Sequence, residues 1–119
     1  MAMKRGRGGV EYEDLKLGEG ETANRGSRID VRYNLSLNRG QLVQENQEYS
    51  FRVGERRVIP GLEYGVEGMR VGGQRRLRVG PHLGYRDHGI PGVIPANAVL
   101  VIDVMLLRVQ PTDDPPTFD

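Results

Sequence analysis

The chain has 119 residues, 17 Lys or Arg against 16 Asp or Glu, a net charge of +1 and no cysteine. That length supports one domain with a single modest core. The missing cysteines exclude disulfides and thiolate metal sites, and the balanced charge gives no case for a nucleic-acid partner.

Residues 1–9 place Lys4, Arg5 and Arg7 among glycines. They cannot bury enough apolar surface to offset ordering, so they read as a flexible basic tail. Three charges supply too little phosphate neutralisation for a nucleic-acid arm. No apolar stretch follows them, so this start is not a signal peptide; a cytoplasmic location is expected, with a trimmed export signal as the alternative. No apolar run in the chain approaches the ~20 residues of a membrane helix, and no membrane partner is expected.

From Ile29 to Leu37 apolar and polar residues alternate, with Ile29, Val31, Tyr33, Leu35 and Leu37 on one face. That is the pattern of a half-buried antiparallel strand. Asn38-Arg39-Gly40 follows as a turn. Tyr49, Phe51 and Val53 share a face of a second strand, which Gly54 ends. A helix begins at Pro60, whose missing N–H suits a first turn, and Leu62, Val66 and Met69 form its apolar stripe. Gly61, Gly65 and Gly68 weaken it by about 0.5–1 kcal/mol each relative to alanine, so packing on a sheet must hold it, and the glycines suit a close approach. The helix is expected to run to Arg70-Val71-Gly72-Gly73, with glycine as its cap.

Leu77 and Val79 share one face of a third strand, with Arg76 and Arg78 opposite. The segment from Tyr85 to Pro95 is too rich in Gly and Pro for a helix or an interior strand. Yet it carries Tyr85, Ile90, Val93 and Ile94, which suits the mouth of an apolar cleft. His82 and His88 lack a second ligand pair at a recognised spacing and read as solvated, so no metal is expected. Val99 to Val109 is nearly all apolar, which predicts a central strand with Leu100, Ile102, Val104 and Leu106 on one side. Arg56, Arg57, Arg75, Arg76 and Arg78 read as a solvated face balanced by Glu55, Glu63 and Glu67. Residues 110–119, rich in Pro and Asp, read as a second flexible tail. The expected architecture is α+β: an antiparallel β-sheet wrapped around one short α-helix, over residues 10–109.

These elements, with the strings Val58-Ile59-Pro60-Gly61-Leu62, Gly65 to Gly73, Tyr85 and Gly92 to Val104, resemble the FKBP-type peptidyl-prolyl isomerases, the macrolide-binding immunophilins. The likeness runs from about Tyr12 to Val109. It implies a pocket for a proline ring, with Tyr33, Tyr49, Phe51, Val58, Ile59, Tyr85, Ile90, Val93, Ile94 and Ile102 on or near it. It further implies that the Ile59 N–H and the Tyr85 hydroxyl act on the rotating amide. Proline-containing protein segments and macrolides are the implied ligands, with no cofactor.

The chain departs from the family where Leu62 stands for the usual Trp floor, Val43-Gln44 for Phe-Asp, and Ile102 for Phe. The segment leading into Tyr49 is also shortened. These changes predict a wider pocket and weaker catalysis. The expected activity is isomerisation of X–Pro bonds by a monomer that assists protein folding; the alternative is a non-catalytic FKBP-like binding or chaperone module.

Overall fold

The computed structural model describes residues 3–111. Its strands are β1 (Lys4–Arg5), β2 (Glu11–Lys16), β3 (Arg28–Leu37), β4 (Leu42–Arg52), β5 (Gln74–Val79) and β6 (Leu100–Val109), with one α-helix, α1 (Pro60–Val66), and short 3-10 turns at Arg7–Gly9 and Pro81–Leu83. The strands form one sheet in the order β1-β2-β5-β6-β3-β4, and every neighbouring pair is antiparallel. Alternation along β3 and β6 puts Ile29, Val31, Leu35, Leu37, Leu100, Ile102, Val104 and Leu106 on the inner face, where they are buried with Leu77 and Val79 of β5. This is the expected α+β architecture.

The helix lies on that face and closes the core with Leu62 and Val66. Its glycines explain the distance. A Cβ at Gly61 would lie 2.4 Å from Val79 Cγ1, and one at Gly65 would lie 2.4 Å from Leu77 Cδ1. Only residues without side chains let the helix backbone rest on β5 so closely.

Several expectations need correction. The helix stops at Val66, short of Arg70-Val71-Gly72-Gly73, because Gly68 turns at φ +86° and the chain then pairs elsewhere. The Gly68 N–H donates to Ala23 O at 2.8 Å, Ala23 N–H donates to Met69 O at 2.7 Å, and Arg70 bridges Thr22. Met69 is still buried, but beyond the helix. β6 is central, as expected, yet only its inner face is fully buried; Val101, Asp103, Met105 and Leu107 on the other side are half-buried.

Arg75 is not on the solvated face. It shares the inner side of β5 with Leu77 and Val79, and only Arg76 and Arg78 point outward. Arg75 Nε donates to Asp14 Oδ1 at 2.7 Å, and Nη1 donates to the carbonyls of Gly65 and Glu67, both at 3.0 Å. Its guanidinium also stacks 4.3 Å from the centre of the Tyr12 ring. The last carbonyls of a helix have no partner within the helix; here a buried cation from the sheet satisfies them. Glu63 is likewise buried and does not balance surface arginines.

Residues 4–9, read from composition as a loose tail, are given regular partners. Lys4 and Arg5 pair with Tyr12 and Glu11 at the sheet edge, and Arg7 Nε meets Glu67 Oε2 at 2.9 Å. Edge pairing uses main-chain groups, which composition does not reveal. At the other end Gln110 is held through its N–H to Arg28 O at 2.8 Å. The expectation of a flexible tail over 112–119 lies outside the described residues.

Candidate functional site

Between the inner face of the sheet and the start of α1 lies a cavity of about 440 Å³. It is lined by Tyr33, Leu35 and Gln44 from the β3–β4 hairpin, Tyr49 from β4, the segment Arg56-Arg57-Val58-Ile59, Leu62 of α1, Tyr85 and Ile102 of β6. The register accounts for its floor. Leu35 lies opposite Gln44 on one side and Ile102 on the other, so three cross-strand neighbours project to the same side. Leu62 closes the floor from the helix and is 4% exposed.

The β3–β4 ladder slips between Tyr33 and Leu35 and again before Ser36. Asn46, at φ +51°, donates its N–H to Asn34 Oδ1 at 2.7 Å there. Such an irregularity re-aims side chains. Its consequence is that Gln44 Oε1 accepts a hydrogen bond from the Tyr33 hydroxyl at 3.3 Å. Burial, followed by the nearby Tyr85 and Tyr49 hydroxyls, raises the Tyr33 pKa above its ordinary value. Tyr33 therefore keeps its proton and remains a donor.

The entrance to the helix is set by Glu63. Its buried carboxylate accepts the N–H groups of Gly54 at 2.8 Å and Arg56 at 3.1 Å. Both residues have positive φ, +103° and +60°, so the turn needs this anchor. It delivers the extended Ile59, whose carbonyl accepts from Leu62 N at 3.1 Å and Glu63 N at 3.2 Å. Among the described residues neither the Ile59 N–H nor the Tyr85 hydroxyl has a partner within the chain. The cavity thus sets these two donors beside the Tyr33, Tyr49, Arg56 and Arg57 side chains, above an apolar floor of Leu35, Leu62 and Ile102.

The structure brings together Tyr33, Gln44, Tyr49, Val58, Ile59, Leu62, Tyr85 and Ile102 of the residues expected at the site. It does not bring Val43, Phe51, Ile90, Val93 or Ile94 to the cavity wall. Phe51 and Ile94 are sealed in the core, and Val43 packs against that core on the opposite parity from Gln44. Ile90 and Val93 sit on the Tyr85–Pro95 loop, which is pinched shut by mutual Ile90–Ile94 backbone hydrogen bonds at 2.8 Å. Both remain exposed. Leu35, Arg56 and Arg57 line the cavity and were not foreseen there. Leu35 was findable, being two residues from Tyr33 on the same strand face. The arginines gave no signal beyond surface charge.

A sheet wrapped on one short helix, with a tyrosine-lined cavity at the helix entrance, matches known proteins throughout. The profile of the FKBP-type peptidyl-prolyl cis-trans isomerases matches residues 19–107, and the chain belongs to that family. It is 44% identical over 105 residues to FK506-binding protein 4 of Chaetomium thermophilum, covering 86% of this chain and 22% of that protein. It is 40% identical over 106 residues to FK506-binding protein 3 of Candida albicans, covering 87% and 25%. The chain therefore spans about a quarter or less of the length of these relatives. Among solved structures it is similar to AtFKBP13, with a TM-score of 0.83 at 26% identity, covering 92% of this chain and 100% of that one. FkpA from Escherichia coli gives a TM-score of 0.80 at 32% identity, covering 92% and 52%.

Proposed function

We propose that this domain accelerates cis-trans rotation about X–Pro bonds in protein segments, with the proline ring seated in the cavity between Tyr33, Tyr49, Leu62 and Ile102. The observation that carries the reading is the free Ile59 N–H at the entrance of a tyrosine-rich cavity with an apolar floor. Amide resonance sets a barrier of about 18–20 kcal/mol, so uncatalysed rotation takes tens to hundreds of seconds. At the twisted transition state resonance is lost and charge separation falls. A site that replaces water with apolar walls favours that state over the planar amide. The Ile59 N–H is placed to hold a substrate carbonyl, and the Tyr85 hydroxyl to donate to a second polar group. No proton is transferred and no covalent bond forms, so the site needs no acid–base pair.

Gln44 in place of a carboxylate, at 3.3 Å from the Tyr33 hydroxyl, supports a less polarised wall and favours a weak catalyst or a binding module over a fast enzyme. Macrolide binding at the same cavity belongs to this proposal, as do a cytoplasmic setting and a monomeric state. A protease-coupled assay of cis-to-trans conversion in proline tetrapeptides tests it. Acceleration above the spontaneous rate is expected. A rate equal to buffer across several X–Pro peptides would leave only the non-catalytic reading.

A further inference from the structure

The cavity wall carries two charged side chains, Arg56 and Arg57, and no carboxylate. Both are exposed, and neither forms any of the ion pairs found among the described residues. The nearest acidic residue that could have neutralised them by sequence, Glu55, is engaged with Arg52 at 3.9 Å. Glu63 is turned inward onto the backbone of the same turn and is 5% exposed. The mouth of the site therefore presents positive charge to whatever enters it.

The position of this charge is fixed by the fold. The backbone carrying Arg56 is anchored by the Glu63 carboxylate, and Arg56 and Arg57 precede Ile59 by three and two residues. A substrate held by its carbonyl at the Ile59 N–H advances only 3.8 Å per residue. Side chains next to its proline consequently fall within reach of two long guanidinium arms. Guanidinium groups match carboxylate and phosphate oxygens in planar, two-point geometry.

We propose that Arg56 and Arg57 make this site selective for X–Pro segments bearing an anionic side chain, carboxylate or phosphate, beside the proline. This deepens the isomerase-site reading and rests on it. Two exposed ion pairs at about 0.2–1 kcal/mol each correspond to roughly two- to thirtyfold in discrimination at low salt.

The test uses one tetrapeptide series with Ala, Leu, Glu, phosphoserine or Lys before the proline. Turnover is read as kcat/KM, and affinity separately from amide shifts of Arg56 to Ile59. Glu over Lys by at least about twofold is expected, shrinking toward unity near 1 M salt as screening shortens to about 3 Å. The double reversal R56E/R57E should invert the Glu/Lys order. A gain for phosphoserine with Glu level with Ala identifies phosphate as the source of the anion and supports the proposal. Equal kcat/KM for Glu, phosphoserine and Lys peptides, with Leu turned over normally, overturns the selectivity and leaves the isomerase. If no peptide is turned over, the isomerase reading fails, and equal affinities for Glu and Lys peptides overturn this one as well. The salt dependence needs no variant, so a misfolded double mutant does not remove the test.

Discussion

At Tyr85 stability and binding can be tested apart. Its ring packs against the core while its hydroxyl has no partner among the described residues. Tyr85→Phe should therefore leave unfolding free energy within about 1 kcal/mol of the parent, since at most one modest hydrogen bond is removed. Affinity for a proline peptide should fall roughly fivefold, the equivalent of about 1 kcal/mol. Urea unfolding and peptide titration on the same sample check both; a large stability loss with unchanged affinity would make Tyr85 a tether for its loop. Leu62 poses the converse case, since it belongs to the core and the cavity floor at once. Leu62→Trp should fill part of the roughly 440 Å³ and tighten proline-peptide binding several-fold. Overpacking costs typically about 1–3 kcal/mol, so a collapse of the fold in this variant would mean that the floor has no room to yield.

The seven-residue helix is too short to be stable alone, and its stability is borrowed from β5. Gly65→Ala puts a methyl 2.4 Å from Leu77 Cδ1. It should destabilise the domain by about 1–3 kcal/mol through strain, although alanine is the better helix former. A gain in the chemical denaturation midpoint would show that the helix can lift off the sheet freely. On β3, Asp30 ties together both neighbouring strands: it accepts from Ser50 of β4, from Arg108 of β6 at 2.8 Å and from Gln110 at 2.7 Å. The Ser50 bond leads in holding the Asp30 pKa below its ordinary value; burial opposes it, and Gln110 and Arg108 add to the lowering. A depressed folded-state pKa contributes stability that is fully present above the unfolded value, about 3.9, and is lost as pH falls through the folded one. Asp30→Asn should accordingly lower stability at neutral pH and flatten the decline below about pH 4. An unchanged acid limb in the variant would place the sensitive carboxylate elsewhere.

At the scale of the whole molecule, the proposed isomerisation involves no proton transfer, and that has a readable consequence. Tyr33 holds its proton more tightly than usual, and neither His82 nor His88 lines the cavity. Turnover of an uncharged Leu–Pro peptide should be level between about pH 6 and 9, a range free of ordinary Asp, Glu and Tyr titration. A bell-shaped profile there would require a titrating group in the chemistry and would count against the mechanism. Circular dichroism should be dominated by β-structure, as one seven-residue helix beside a six-stranded sheet demands; helix content above about one third would contradict this architecture.

Local patterning carried most of the fold. Period-two alternation along 29–37, the Pro60 start of the helix and the apolar run after Val99 are properties of neighbouring residues, so they were legible without coordinates. So were Ile59 and Tyr85, which stand in the family strings, and Tyr33, which alternation puts on the apolar face of its strand. Three features required the third dimension. Arg75 turned inward because the carbonyls of Gly65 and Glu67 and the Asp14 carboxylate await it, and those partners lie up to 61 residues away in the chain. The helix ended early because Ala23 competes for the backbone of Gly68 and Met69. Val43, expected at the site beside Gln44, left the cavity wall where the β3–β4 ladder is irregular, which no alternation rule announces. Patterning reports which face is apolar; which polar groups are satisfied, and by whom, depends on contacts between segments that only the folded chain brings together.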